Sequence, residues 1–201
     1  MSLTKISNNS LSGITTLPAS IPTGALTLLS TQTASASASI EFTSGIDSSY
    51  SSYIFKFINV AISNNHAVIE FQGSIDGGSS YGVTTTSTNF LTLHNEADTE
   101  TNLIYNSSQD LAQSTAFIDL TDQLSNDVDA CLSGQLQIFN PSSNVFVKHW
   151  ISTTTWSQSD PATRSMYCAG YFNDGANDIN AIKFQVSSGN FDGIIKMYGV
   201  S

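Results

Sequence analysis

The stretch from Tyr53 to Gly82, YIFKFINVAISNNHAVIEFQGSIDGGSSYG, constrains the fold more than any other. Its first run, Tyr53 to Ile62, is β-branched and aromatic, the composition of a pleated strand. SNNH then supplies turn residues. In the second run Ala67, Ile69, Phe71 and Gly73 fall on one face, and Val68, Glu70, Gln72 and Ser74 on the other, the period of two of a half-buried strand. Two such runs across an Asn-Asn turn predict a β-hairpin. The first strand is apolar on both faces, with Ile54, Ile58, Val60 and Ile62 opposite Tyr53, Phe55 and Phe57. The hairpin is therefore expected at the centre of the fold, with a second layer on one side and further chain, or another protomer, on the other.

Composition agrees with an all-β domain whose surface is hydroxyl and amide rather than ionic. Charged residues make up 11% of the chain, against roughly 25% in ordinary soluble domains. The net charge is −10, with six basic residues, Lys5, Lys56, Lys148, Arg164, Lys183 and Lys196. That balance offers no basic track for nucleic acid and no attraction to anionic membranes. No apolar run reaches the ~18 residues of a membrane-spanning helix. The opening MSLTKISNNSLSG has no apolar core, so export through a signal peptide is not expected. In that setting Cys131 and Cys168, both in strand-like runs, are expected to be reduced and structural.

Residues 1–24 carry Pro18, Pro22, Gly13 and Gly24 among scattered apolar residues without helical or strand period, the pattern of a docking arm or a strap. Residues 25–201 read as one sandwich domain. Ala25–Thr33 and Ser37–Thr43 are strands. SIDGGSSYG fits Ser-x-Asp-x-Gly-x-x-aromatic through Ser74, Asp76, Gly78 and Tyr81, and resembles the Asp-box loop of sialidases and other β proteins, a hairpin device rather than a catalytic one. HNEADTE groups His94, Glu96, Asp98 and Glu100, which read as a solvated acidic loop rather than a calcium site. Further on, Leu132, Leu136 and Ile138 share a strand face. Asn140-Pro-Ser-Ser-Asn turns, and Val145–Ile151 returns ahead of a Ser/Thr loop containing Trp156. Met166, Cys168, Gly170 and Phe172 alternate with Tyr167, Ala169 and Tyr171. About eleven strands joined by Gly, Asn and Ser turns describe a two-sheet antiparallel sandwich with almost no helix.

The chain lacks Gly-x-Ser-x-Gly, His-Glu-x-x-His, Cys-x-x-Cys and any phosphate loop, so catalysis, metal and cofactor are not expected. Glu41, Glu70 and Asp119 lie in strand-like runs where two carboxylates can meet as acid and base. For ligand binding the candidates are Trp150, Trp156, Tyr167 and Tyr171, which can stack on sugar rings, with Asn173 and Asp174 to bond hydroxyls.

Three segments carry a family resemblance: IEFTSGIDSSYSSYIFKFINV, FNPSSNVFVKHWIS and KFQVSSGNFDGIIKMYGV. They are similar to β-sandwich virion proteins of tailed phages of marine bacteria, in which "TSGI" follows a strand ending in Phe, "FNPSS" precedes "FVKH", and the chain closes on "SSGN…G.IK.YGI". Here these are Phe42–Ile46, Phe139–His149 and Ser187–Val200, and the likeness spans most of residues 26–201. The opening MSLTKIS also resembles phage tail-fibre and head-fibre subunits. The resemblance implies a jelly-roll-like sandwich with an extended N-terminal arm, assembled in the host cytoplasm. It implies a non-enzymatic place on the virion, as tail or fibre protein or as capsid decoration. Its implied partners are other virion proteins through the arm, further copies of itself, most simply as a trimer, and a host surface glycan.

Overall fold

Alternation of inward and outward side chains runs along strands such as Thr85–Asn95 and Lys148–Gln158 of the twelve in a computed structural model that describes residues 26–158 and 161–201. In order they are β1 (Leu26–Ser37), β2 (Ser39–Phe42), β3 (Ser52–Ile62), β4 (Ile69–Ser74), β5 (Thr85–Asn95), β6 (Thr101–Tyr105), β7 (Ile118–Asp119), β8 (Leu132–Phe139), β9 (Lys148–Gln158), β10 (Ala162–Phe172), β11 (Ala181–Val186) and β12 (Phe191–Val200). The described residues contain no helix. The expected arm, residues 1–24, lies outside the described residues.

The strands form two antiparallel sheets. The large one has the order β1-β12-β3-β8-β9-β10-β5-β6 and the small one β2-β11-β4-β7. Four nested pairs, β4/β7, β3/β8, β2/β11 and β1/β12, alternate between the sheets, as in one long hairpin rolled on itself. This is the jelly-roll connection of a double-sheet fold. The hairpins β5/β6 and β9/β10 are additions that widen the large sheet beyond β8.

The core between the sheets is aromatic. Phe184 meets Phe42, Phe55 and Phe57 edge to face at 5.2–6.1 Å, and Phe71 meets the Trp150 ring at 5.0 Å and 88°. Such geometry sets the positive edge of one ring against the negative face of the next. Tyr53 is fully buried, and its hydroxyl donates to the Asp47 carbonyl at 2.9 Å, fixing the loop before β3.

Two expectations need correction. β3 and β4 do not pair as a hairpin: β3 lies between β12 and β8, and β4 between β11 and β7. The connection with His66 at φ 67° carries the chain from one sheet to the other. The second concerns STTTWSQ, which is strand rather than loop. Trp150, Ser152, Thr154 and Trp156 point inward along β9 while the residues between them point out.

Candidate functional site

The residues proposed for a sugar site do not come together. Trp150 is 0% and Trp156 3% exposed, so neither offers a ring face to a ligand. Both lie on the inward side of β9, whereas Tyr167 and Tyr171 lie on the outward side of β10. Tyr167 is 46% exposed and stacks on Phe90, its cross-strand partner, with centroids 5.1 Å apart and planes within 12°. Tyr171 is half-buried and packs edge to face with His149, centroids 5.9 Å apart. Asn173 donates to Gln113 Oε1 at 2.7 Å. Asp174 caps its own loop by accepting from the Ala176 and Asn177 N–H groups, and its carbonyl accepts from buried Lys148 Nζ. Burial holds the Lys148 ammonium below its ordinary pKa range. These last contacts pin a loop, and Asn173 and Asp174 line an open pocket with Ser80, Tyr81, Thr84 and Thr115 rather than with Tyr167 and Tyr171.

The two acidic loops do meet. His94, Glu96, Asp98, Asp127, Asp129, Cys131 and Trp156 line an open cleft of about 840 Å³ at one end of the large sheet. His94 Nε2 lies 3.1 Å from Asp98 Oδ1 across the β5/β6 turn. Among the described residues no three acidic, His or Cys side chains are grouped to hold a metal ion. Cys131 and Cys168 are both free, and burial pushes the Cys168 thiol up to about 12.

Of the three strand carboxylates, Glu70 and Asp119 are cross-strand partners on the outer side of the small sheet. Burial, and then the Glu70 charge, pushes the Asp119 carboxyl up to about 6. Gln185 Nε2 donates to Glu70 Oε2 at 2.9 Å. Glu41 instead binds Lys183 at 3.2 Å. A carboxyl whose pKa is raised beside a second carboxyl has the form of an acid/base pair, but this one lies outside the cleft just described.

The loop from Ser74 to Tyr81 behaves as its resemblance implied, with one difference. Asp76 accepts from Ser74 Oγ, Ser80 Oγ and Ser80 N–H at 2.6, 2.6 and 2.9 Å, and Gly77 and Gly78 take positive φ. These bonds, led by the one from Ser74, hold the Asp76 carboxyl down to about 2. The loop joins β4 to β5, which belong to different sheets, rather than two strands of a hairpin.

The largest coherent surface is the outward face of the large sheet, which individual motifs did not reveal. One row across it reads Tyr105, Phe90, Tyr167, Thr153, Gln135, Lys56, Lys196, Thr31. The next reads Thr88, Ala169, Ile151, Gln137, Ile54, Tyr198, Leu28. Ile151 is 49% exposed, and on the same face Phe90, Leu103 and Tyr105 are exposed toward the β6 edge and Leu28 on the β1 edge. No Asp or Glu occupies an outward position of these strands until Asp192, which lies past the Gly193 bulge and accepts from the Ala36 N–H. On a chain with 16 acidic residues, that is a strong segregation of charge. The sequence signal was the outward series of β5, Thr86, Thr88, Phe90, Thr92 and His94, and its equivalents on β9 and β10.

No family model, curated protein or solved structure matches this chain.

Proposed function

We propose that the chain is a non-enzymatic structural component of a tailed-phage virion, a tail or fibre protein on the particle exterior that reaches the host surface. The observation that carries this reading is the outward face of the large sheet. It is a broad field of hydroxyl, amide, aliphatic and aromatic side chains with one lysine pair, whose strands contribute no outward carboxylate but Asp192, on an otherwise acidic protein. Exposed aromatic and aliphatic side chains grouped on one face, such as Phe90, Leu103, Tyr105, Ile151 and Tyr167, mark a place of contact, and a subunit of a particle has neighbours to make it. The segment resemblances across residues 26–201 support the same reading, as does the jelly-roll connection, which recurs among capsid and lectin domains.

Gold-labelled antibody against the purified chain, applied to purified particles, is the test. Label along the tail or fibres is expected. Label over the capsid would favour head decoration instead, and particles that carry neither label nor the chain by mass spectrometry would overturn the proposal. The exposed Tyr167–Phe90 pair supports a second, compatible reading, a lectin-like contact with host glycan. That reading expects glycan-array binding that disappears in Tyr167→Ala, and a blank array with the unaltered chain removes it.

A further inference from the structure

We propose that the open cleft at one end of the large sheet binds a basic peptide segment of another protein, its main chain against β9 and its Lys or Arg side chains among the acidic loops. The proposal stands on the cleft and does not depend on the outward sheet face. Three stretches distant in sequence wall it: the β5/β6 turn with Glu96 and Asp98, the loop before β8 with Asp127 and Asp129, and the end of β9 with Trp156 and Gln158. Among the described residues no Lys or Arg lines it. Arg164, a cross-strand partner of Trp156, is held by Asp122 at 3.1 Å. His94 faces Asp98 at 3.1 Å, which leaves Glu96, Asp127 and Asp129 without a cation in the cleft. Carboxylates gathered on the walls of a cleft focus their field, so a cationic group is drawn in.

A chain with 16 acidic residues has solvated acidic loops, and these four carboxylates alone would be no more than that. The end of β9 makes the cleft a site. Trp156 is 3% exposed, and its indole N–H has no hydrogen-bond partner. Gln158 Oε1 is likewise buried and without a partner. Folded proteins leave very few buried polar groups unbonded, and here the two residues that carry them border the same cleft. They lie on one side of β9, two residues and about 7 Å apart along the strand. One offers a donor and the other an acceptor. The main chain of an extended peptide brings an acceptor and a donor at such spacing, whereas a polyamine brings donors only. A metal ion is not served either, since among the described residues no three acidic, His or Cys side chains are grouped to hold one. Gln158 ends its strand on a side chain of three rotatable torsions, so its amide can swing to let the peptide reach Trp156.

Titration of the isotope-labelled full chain with acetyl-tetralysine amide at low salt, followed by NMR, provides the test. The chain has two Trp, so two indole N–H signals appear, to be assigned through the backbone. The Trp156 signal is expected to move, and that of Trp150, 0% exposed in the core, to stay. Asp127→Asn and Asp129→Asn, in an exposed loop, should each raise Kd about two- to fivefold. Gln158→Leu should raise it about three- to tenfold. Asp178→Asn, exposed beyond the other end of β10, removes the same charge and should leave Kd unchanged. An unmoved Trp156 signal, or a loss from Asp178→Asn as large as that from Asp129→Asn, overturns the proposal, because either marks diffuse attraction to an acidic protein. Spermine that moves the Trp156 signal as far as the peptide does would make the site one for amines. A glucosamine tetramer that moves it at lower concentration would make it one for amino sugars. Both results overturn the peptide assignment.

Discussion

Trp150 fits inside the sandwich because a glycine lies beneath it. Gly170 is its cross-strand partner on β10, and a Cβ there would stand 2.6 Å from Trp150 Cζ2 and 2.5 Å from the Thr86 carbonyl oxygen. Gly170→Ala is therefore expected to cost about 1–3 kcal/mol, the usual penalty of overpacking, measured by urea unfolding. Asp119 gives a pH-dependent counterpart. Its native carboxyl titrates near 6, while an unfolded Asp titrates near 3.9. The native state thus holds more protons between those values, and stability falls as pH rises through that window. Asp119→Asn should add about 1–2 kcal/mol at pH 8 and nothing at pH 4, as read from denaturant midpoints at the two pH values. At this scale the sequence named the right residue types but not always their side of the sheet. An aromatic ring serves a core and a binding platform equally well, so Trp150 and Trp156 looked like ligand groups. Their period-two spacing through Ser152 and Thr154 marked them as inward, because the strand was continuous where the Ser/Thr run suggested a loop.

Among the elements, the strands were legible and their partners were not. Alternation identified β4 and β10, and an aromatic, β-branched run identified β3, since period and composition are local properties. Pairing is a property of the whole chain. The SNNH turn between β3 and β4 has hairpin chemistry, yet both strands find better-matched neighbours elsewhere, β3 on β12 and β8, β4 on β11 and β7. The loop from β4 to β5 shows how local chemistry holds where pairing does not. Ser74, Asp76 and Ser80 bond one another whichever sheets the loop connects. Asp76→Ala is expected to speed amide hydrogen exchange at Ser80, whose N–H loses its acceptor, with little change in the melting temperature, because the carboxylate is at the surface.

The whole molecule has two unlike outer sides, one whose strands place a single carboxylate outward, Asp192, and one that carries Glu41, Glu70 and Asp119 with Lys183. That asymmetry was present in the sequence at alternate positions of eight strands, but it became visible only when the sheet order placed those positions in rows. The same order makes the C-terminal strand indispensable: β12 is hydrogen-bonded to β1 on one side and β3 on the other. Deleting residues 191–201 should leave a chain without cooperative thermal unfolding, whereas a folded, cooperative product would contradict this account of the large sheet. Because Leu26 pairs with Val200, the first described strand waits for the last one. At roughly 5–20 residues per second that delay is on the order of ten seconds. Until β12 has been made, the nascent polypeptide must keep β1 and β3 apart from other chains, so its yield in a cell will depend on chaperone capacity as well as on the strength of its finished core.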